Sequence, residues 1–150
     1  MRKALIIVQE QQLSQTDIRR LDSYIKQHYQ RYIGTEKLLT IWNRIPAGQA
    51  FTKYEDSRSS LVTMECEKEL EQAKRVAMMK ALEKDWLALT AQHPDELMLA
   101  VVEEDLFAEL FESSRERLDL IGRLHLVFKM LCSFLKAALS DAPIQFNPNL

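Results

Sequence analysis

One order of hydrophobic patterns occurs twice along this chain, and that repetition limits what it can fold into. Residues 4–8 form an unbroken aliphatic run with Ile6, Ile7 and Val8. Short, β-branched and unalternating, the run predicts a strand buried on both faces. Polar residues 9–12 end it. Ser14 or Thr16 is placed to cap a helix, with Asp17 favourable in the first turn. Ile18, Leu21, Ile25, His28 or Tyr29, and Tyr32 then recur at helical spacing, and Gly34 is suited to stop the helix. Residues 37–45, with Leu38, Leu39, Ile41 and Trp42, predict a second strand, closed by Pro46, which cannot donate to a central ladder.

The second round follows a polar, hairpin-like loop over residues 46–58. Residues 59–66, with Leu61, Val62, Thr63 and Met64, read as a third strand. Residues 67–92 are rich in Ala, Leu, Glu, Lys and Met, all good helix formers. Leu70, Ala73, Ala77, Ala81 and Trp86 suggest the buried face, and Pro94 marks the end. Residues 97–102 give a fourth strand. A right-handed crossover makes each strand–helix–strand half a parallel βαβ unit. The expected fold is therefore α/β (α+β): two fused βαβ units forming a four-stranded sheet, with two helices on one face. Identity between the halves is poor, so the repeat is one of pattern. The last third differs. A short helix is expected over 106–111 and a longer apolar one over 116–140, then an extended tail. The domain division expected is 1–112 for the double unit and 113–150 for a C-terminal helical extension packing on it or on a neighbouring subunit.

Composition narrows the function classes. The 150 residues suffice to bury roughly two-thirds of the unfolded surface without a staple. With 20 basic and 22 acidic side chains the net charge is -2, which argues against a nucleic-acid partner. Cys66 and Cys132 form no CxxC pair, so a reduced, cytoplasmic setting is expected. The apolar run after Met1-Arg2-Lys3 is too short for a signal sequence, and no segment approaches the roughly 20 apolar residues of a membrane span. His28, His93 and His125 show no HxxxH or HxH spacing, so no metal is expected. With only Gly34, Gly48 and Gly122 there is no phosphate-cradling loop, and no cofactor is expected.

The stretch Ile45-Pro46-Ala47-Gly48-Gln49-Ala50-Phe51-Thr52, followed by Ser57-Arg58-Ser59-Ser60, resembles the hairpin segment of tautomerase superfamily proteins. It is most similar to the long members built from two fused βαβ units. Asp85-Trp86, Asp95-Glu96-Leu97 and Glu103-Glu104-Asp105 add to the resemblance, which spans about residues 3–111. It implies a homotrimer with the sheets facing inward, arginines that bind substrate carboxylates, and an N-terminal proline whose amine moves the proton. An α-amino group with a pKa near 8 needs only a modest depression to act as a base at neutral pH. This chain departs from that pattern. Residue 2 is Arg, a large residue that normally blocks removal of the initiator Met, so the expected terminus is Met1 and the proline site is replaced.

Arg58 matches the resembling motif, and a guanidinium there would bind a carboxylate through paired hydrogen bonds. Read from the residue alone, it is a solvated loop arginine. Arg44, near the end of the second strand, borders the same loop; an exposed strand-end charge is its plainer reading. Tyr54 and Phe51 could line a pocket mouth or pin the hairpin to the sheet, the commoner use of aromatics. Lys3 could supply positive charge beside a substrate or simply face water. Glu104 and Asp105 follow the fourth strand, where α/β ligand sites often lie, but suit a helix start as well. Cys132 suits a packed thiol. The resulting expectation is a tautomerase-like isomerase that binds a small carboxylate-bearing keto or enol acid through Arg58, Arg44 and Tyr54, with proton transfer by a group other than the usual N-terminal proline. Its alternative is a non-catalytic relative acting as a small-molecule binding or oligomeric interaction protein.

Overall fold

The structure is a computed structural model, and it describes residues 1–52, 54–109 and 144–146. The order is β1 (Arg2–Gln9), α1 (Gln15–Tyr32), β2 (Leu38–Ile45), β3 (Phe51–Thr52), β4 (Glu55–Asp56), β5 (Ser60–Cys66), α2 (Gln72–Thr90), β6 (Leu97–Glu103) and β7 (Ile144–Phe146). A single turn, Pro94–Glu96, precedes β6, and residues 104–109 are helical. The expected longer helix over 116–140 lies outside the described residues.

Both halves are parallel βαβ units. β1 pairs with β2 and β5 with β6 in parallel, while β1 and β5 meet antiparallel at the centre. The order across the sheet is β6-β5-β1-β2-β7. Four of these strands are those the patterns predict. The fifth, β7, comes from the tail expected to be extended, and adds parallel to β2 with Ile41 opposite Ile144.

Side-chain parity explains where the core sits. Ala4, Ile6 and Val8 of β1, Leu38, Thr40 and Trp42 of β2, and Val62, Met64 and Cys66 of β5 are all buried on one face. Ile18, Leu21, Ile25 and Tyr29 of α1, and Met78, Leu82 and Trp86 of α2, close over that face and pack on each other's helix. Leu5 and Ile7 are only partly covered, so β1 is buried chiefly on one side rather than on both. A central antiparallel pair allows this asymmetry, because both crossovers lie on the same face.

Local chemistry sets the ends of α1. Ser14 accepts from the Asp17 backbone while Asp17 reaches back to Ser14, a complete capping box. α2 starts five residues later than its composition suggests, at Gln72. β5 must run to Cys66 to pair with Glu103, so the intervening residues turn, with Glu69 at φ 60. Here tertiary pairing overrides helix propensity. The α2 core face is Met78, Leu82 and Trp86, one position on from the alanines; Ala73 is exposed. Large side chains decide the rotation of a helix because alanine has little surface to bury.

One polar cluster and one aromatic stack tie the layers. Asp22, buried in α1, accepts from the Thr40 hydroxyl and the Trp42 indole, and pairs with Lys26 at 2.7 Å. Trp42 and Trp86 stack at 6.2 Å with planes 9° apart, joining the first unit to the second.

Candidate functional site

The antiparallel centre of the sheet puts the start of β1 beside the end of β5, and the end of β1 beside the start of β5. Each end carries a distinct cluster.

At the start of β1, the Arg2 guanidinium is surrounded by carboxylates. It donates to Glu104 at 2.8 Å and lies 3.4 Å from Glu36 and 3.5 Å from Glu65. Glu65 is 1 % exposed on β5, and also accepts the Lys3 backbone N–H at 3.1 Å, with the Lys3 ammonium 3.6 Å away. Two cations and a backbone donor offset the cost of burying this carboxylate. Burial works against the charge on Arg2, but Glu36 and Glu104 outweigh it and raise the guanidinium above its ordinary value. Tyr29, whose hydroxyl donates to the Glu65 carbonyl at 2.8 Å, is driven upward by burial and stays neutral. Burial also pushes the Cys66 thiol up, away from nucleophilic use.

The opposite end holds the sequence-predicted residues. Pro46 to Gln49 make a tight turn closed by Gln49 N–H to Pro46 O at 3.2 Å. Gly48 sits at φ 73, the left-handed value a turn of this type needs at its third residue. The short β3–β4 hairpin follows, then Arg58. An open groove of about 770 Å³ lies there. Arg58, Ser59 and Thr52 line it together with His93, and four carboxylates surround them: Glu55, Asp56, Asp95 and Glu96. Among the described residues no ion pair engages the Arg58 guanidinium.

Arg44 lies at the same end. It is opposite Val8, and continuing the pairing of Ile7 with Leu61 by one residue puts Val8 opposite Ser60. Arg44 and Ser60 are thus two strand spacings apart, roughly 10 Å. Arg44 points to the helix side of the sheet and does not line the Arg58 groove. Its Nη2 is enclosed and has no hydrogen-bond partner among the described residues; neither has Asn43 Oδ1. Tyr54 is not brought to the groove. At the hairpin tip, with φ 69, it turns its ring outward and is fully exposed, as Phe51 largely is. Lys3, Glu104 and Asp105 lie at the other end of the sheet, Asp105 paired with Lys68. His28 bridges the helices through Asp85 at 2.7 Å.

Three glutamines at this end carry no signal in the sequence. Gln12 and Gln92 each donate to the Arg58 carbonyl at 2.6 Å, and Gln9 donates to the Ser59 carbonyl at 3.3 Å. Glutamine has no spacing signature, so only the fold could bring them together.

No family profile and no curated sequence matches the chain. Solved structures do match. The crystal structure of native Ps01740 aligns with a TM-score of 0.64 at 19% identity, over 67% of this chain and 92% of that one. A fused 4-OT wild-type symmetric trimer aligns at 0.59 and 12%, over 67% and 84%. N1, a member of the cis-3-chloroacrylic acid dehalogenase family, aligns at 0.62 and 8%, over 67% and 73%. All three are tautomerase-superfamily structures. The fold is tautomerase-like. The fused double unit predicted from the hydrophobic patterns is consistent with these matches. Among the described residues no helix is long and apolar enough to cross a membrane.

Proposed function

We propose that this protein binds a small carboxylate-bearing keto or enol acid at the Arg44–Arg58 end of its sheet, as a homotrimer of the tautomerase-like fold, and without proline-type proton transfer. The observation that carries the reading is Arg44 Nη2, an enclosed donor with no acceptor among the described residues. Such a group is costly unless something satisfies it. A carboxylate is the acceptor whose geometry suits a guanidinium fork. Arg58 supplies a second guanidinium at the same end, in no ion pair among the described residues. The binding module is the double unit, residues 1–112.

The start of β1 supports the non-catalytic half of the reading. A base there needs a nitrogen that is neutral near pH 7. Arg2 cannot supply one, because a guanidinium does not lose its proton in proteins, and the Met1 amine is engaged by Glu36 at 3.5 Å. Three carboxylates hold Arg2 in place.

The test is calorimetric titration with phenylenolpyruvate and with 2-hydroxymuconate, alongside an absorbance assay for tautomerisation of each. Expected are saturable binding, no turnover above buffer, and binding at least tenfold weaker in Arg44→Ala or Arg58→Ala, the loss of one charge-assisted bond. Turnover that Arg2→Ala leaves unchanged would return the chain to the enzymes. Absence of binding for both acids would remove the reading altogether.

A further inference from the structure

We propose that Gln92 is the positioning residue of the Arg58 groove, and that through it the occupancy of the groove is felt at the core indole of Trp86. The inference rests on the binding role just proposed, but its geometry is independent of that role. The Arg58 carbonyl takes two hydrogen bonds, from Gln12 in the turn after β1 and from Gln92 in the turn after α2. These turns belong to different βαβ units, so one backbone oxygen is where both units grip the loop.

Chemistry fixes the orientation of each amide. The Trp86 indole N–H is only a donor. It meets Gln92 Oε1 at 2.7 Å, so the Gln92 nitrogen must point the other way, to Arg58. Ser60 adds a second donor to the same Oε1 at 3.2 Å. The Gln9 backbone N–H, also only a donor, meets Gln12 Oε1 at 2.9 Å and turns the Gln12 nitrogen to Arg58 in the same way. Trp86 is fully buried and stacked on Trp42. The chain indole–amide–carbonyl therefore runs without a break from the core to the residue that carries the groove's cation. Gln92 touches the Arg58 backbone and not the ligand, so it acts by holding Arg58 in register.

Gln92→Glu is the diagnostic substitution. It keeps the size and the oxygen that faces Trp86, but places a carboxylate oxygen against the Arg58 carbonyl, turning attraction into repulsion. Gln12→Glu makes the same reversal from the other unit, in case one variant folds poorly. The first measurement needs no ligand. Trypsin cuts after Arg58, at the bond whose carbonyl the glutamines hold, so release of the fragment beginning at Ser59 should be about tenfold faster in either variant. The second is the indole N–H region of an NMR spectrum. The chain has two tryptophans, and Trp42→Phe assigns the Trp86 signal. Phenylenolpyruvate should shift that signal in the wild type, and Gln92→Glu should abolish the shift and weaken binding about tenfold. A merely structural glutamine would leave the ligand-induced indole shift in place. Unchanged cleavage in both variants would overturn the positioning role, even if the acid binds. An absence of acid binding to wild type, with faster cleavage in the variants, would leave Gln92 as the loop's anchor and remove the binding role instead.

Discussion

Arg2 and Arg58 carry the same guanidinium into opposite surroundings. Arg2 is enclosed by three carboxylates that it contacts. Arg58 faces four that line its groove without pairing with it. This difference yields two predictions. Around Arg58, the four carboxylates oppose any second negative charge on a ligand. Phenylenolpyruvate, with one carboxylate, should therefore bind more tightly than 2-hydroxymuconate, with two, and Glu55→Gln with Asp95→Asn should narrow the gap; competition titrations read it directly. Equal affinities in the wild type would mean the rim charges do not face the bound acid. Around Arg2, removal of the cation leaves Glu65 buried with Lys3 as its remaining cation among the described residues. Arg2→Ala should cost about 1–3 kcal/mol of unfolding free energy, measured by urea titration. A loss under about 0.5 kcal/mol would show that the cluster is no more than a solvated surface pairing.

At the scale of elements, β6 is held to α2 through one ion pair with a clear acid limb. Arg75 donates to Glu103 at 2.8 Å, and that bond, set against partial burial, lowers the Glu103 carboxyl below its ordinary value. A carboxyl depressed in the folded state contributes stability above its unfolded pKa and loses it as pH falls through the folded one. The wild-type unfolding midpoint should thus drop on acidification below about pH 4.5 more steeply than that of Glu103→Gln. Parallel acid limbs in thermal melts would remove the pair from the account. The same elements show how far the sequence was legible. β1, α1 and β2 were readable because aliphatic runs, candidate capping residues and a helical period coincide within a few residues. α2 was readable as a helix and in its buried Trp86, but its alanines mimic the periodicity of a face that Met78 and Leu82 occupy one position on. β7 was invisible because three residues carry no pattern until β2 offers them an edge. At the site, Arg58 stood out through its motif. Gln12, Gln92, Glu36 and Glu65 did not, because what selects them is register between strands and turns distant in sequence.

The whole molecule depends on contacts that cross from one unit to the other. Trp42 of the first stacks on Trp86 of the second, and α1 and α2 share one core. Neither half buries its apolar face alone, so the protein should unfold in a single transition, and Trp86→Ala should cost about 3–5 kcal/mol without splitting it. Two separable transitions would mean the halves are independent. The second consequence concerns the face of the sheet away from the helices. Leu5 and Ile7 of β1 and Leu39 and Ile41 of β2 point there and are only partly covered. Apolar residues in adjacent positions on two neighbouring strands gain by losing their remaining contact with water. The proposed trimer provides that cover if the three sheets face inward. A charge placed on this face should then oppose assembly while leaving the helix-side core untouched. Wild type should show a solution mass near three times 17.5 kDa by light scattering. Ile7→Lys and Ile41→Lys should each shift it towards a single chain, with the far-ultraviolet circular dichroism unchanged. If both variants keep the threefold mass, assembly uses another surface; a monomeric wild type would leave these four residues to be covered from within the chain itself.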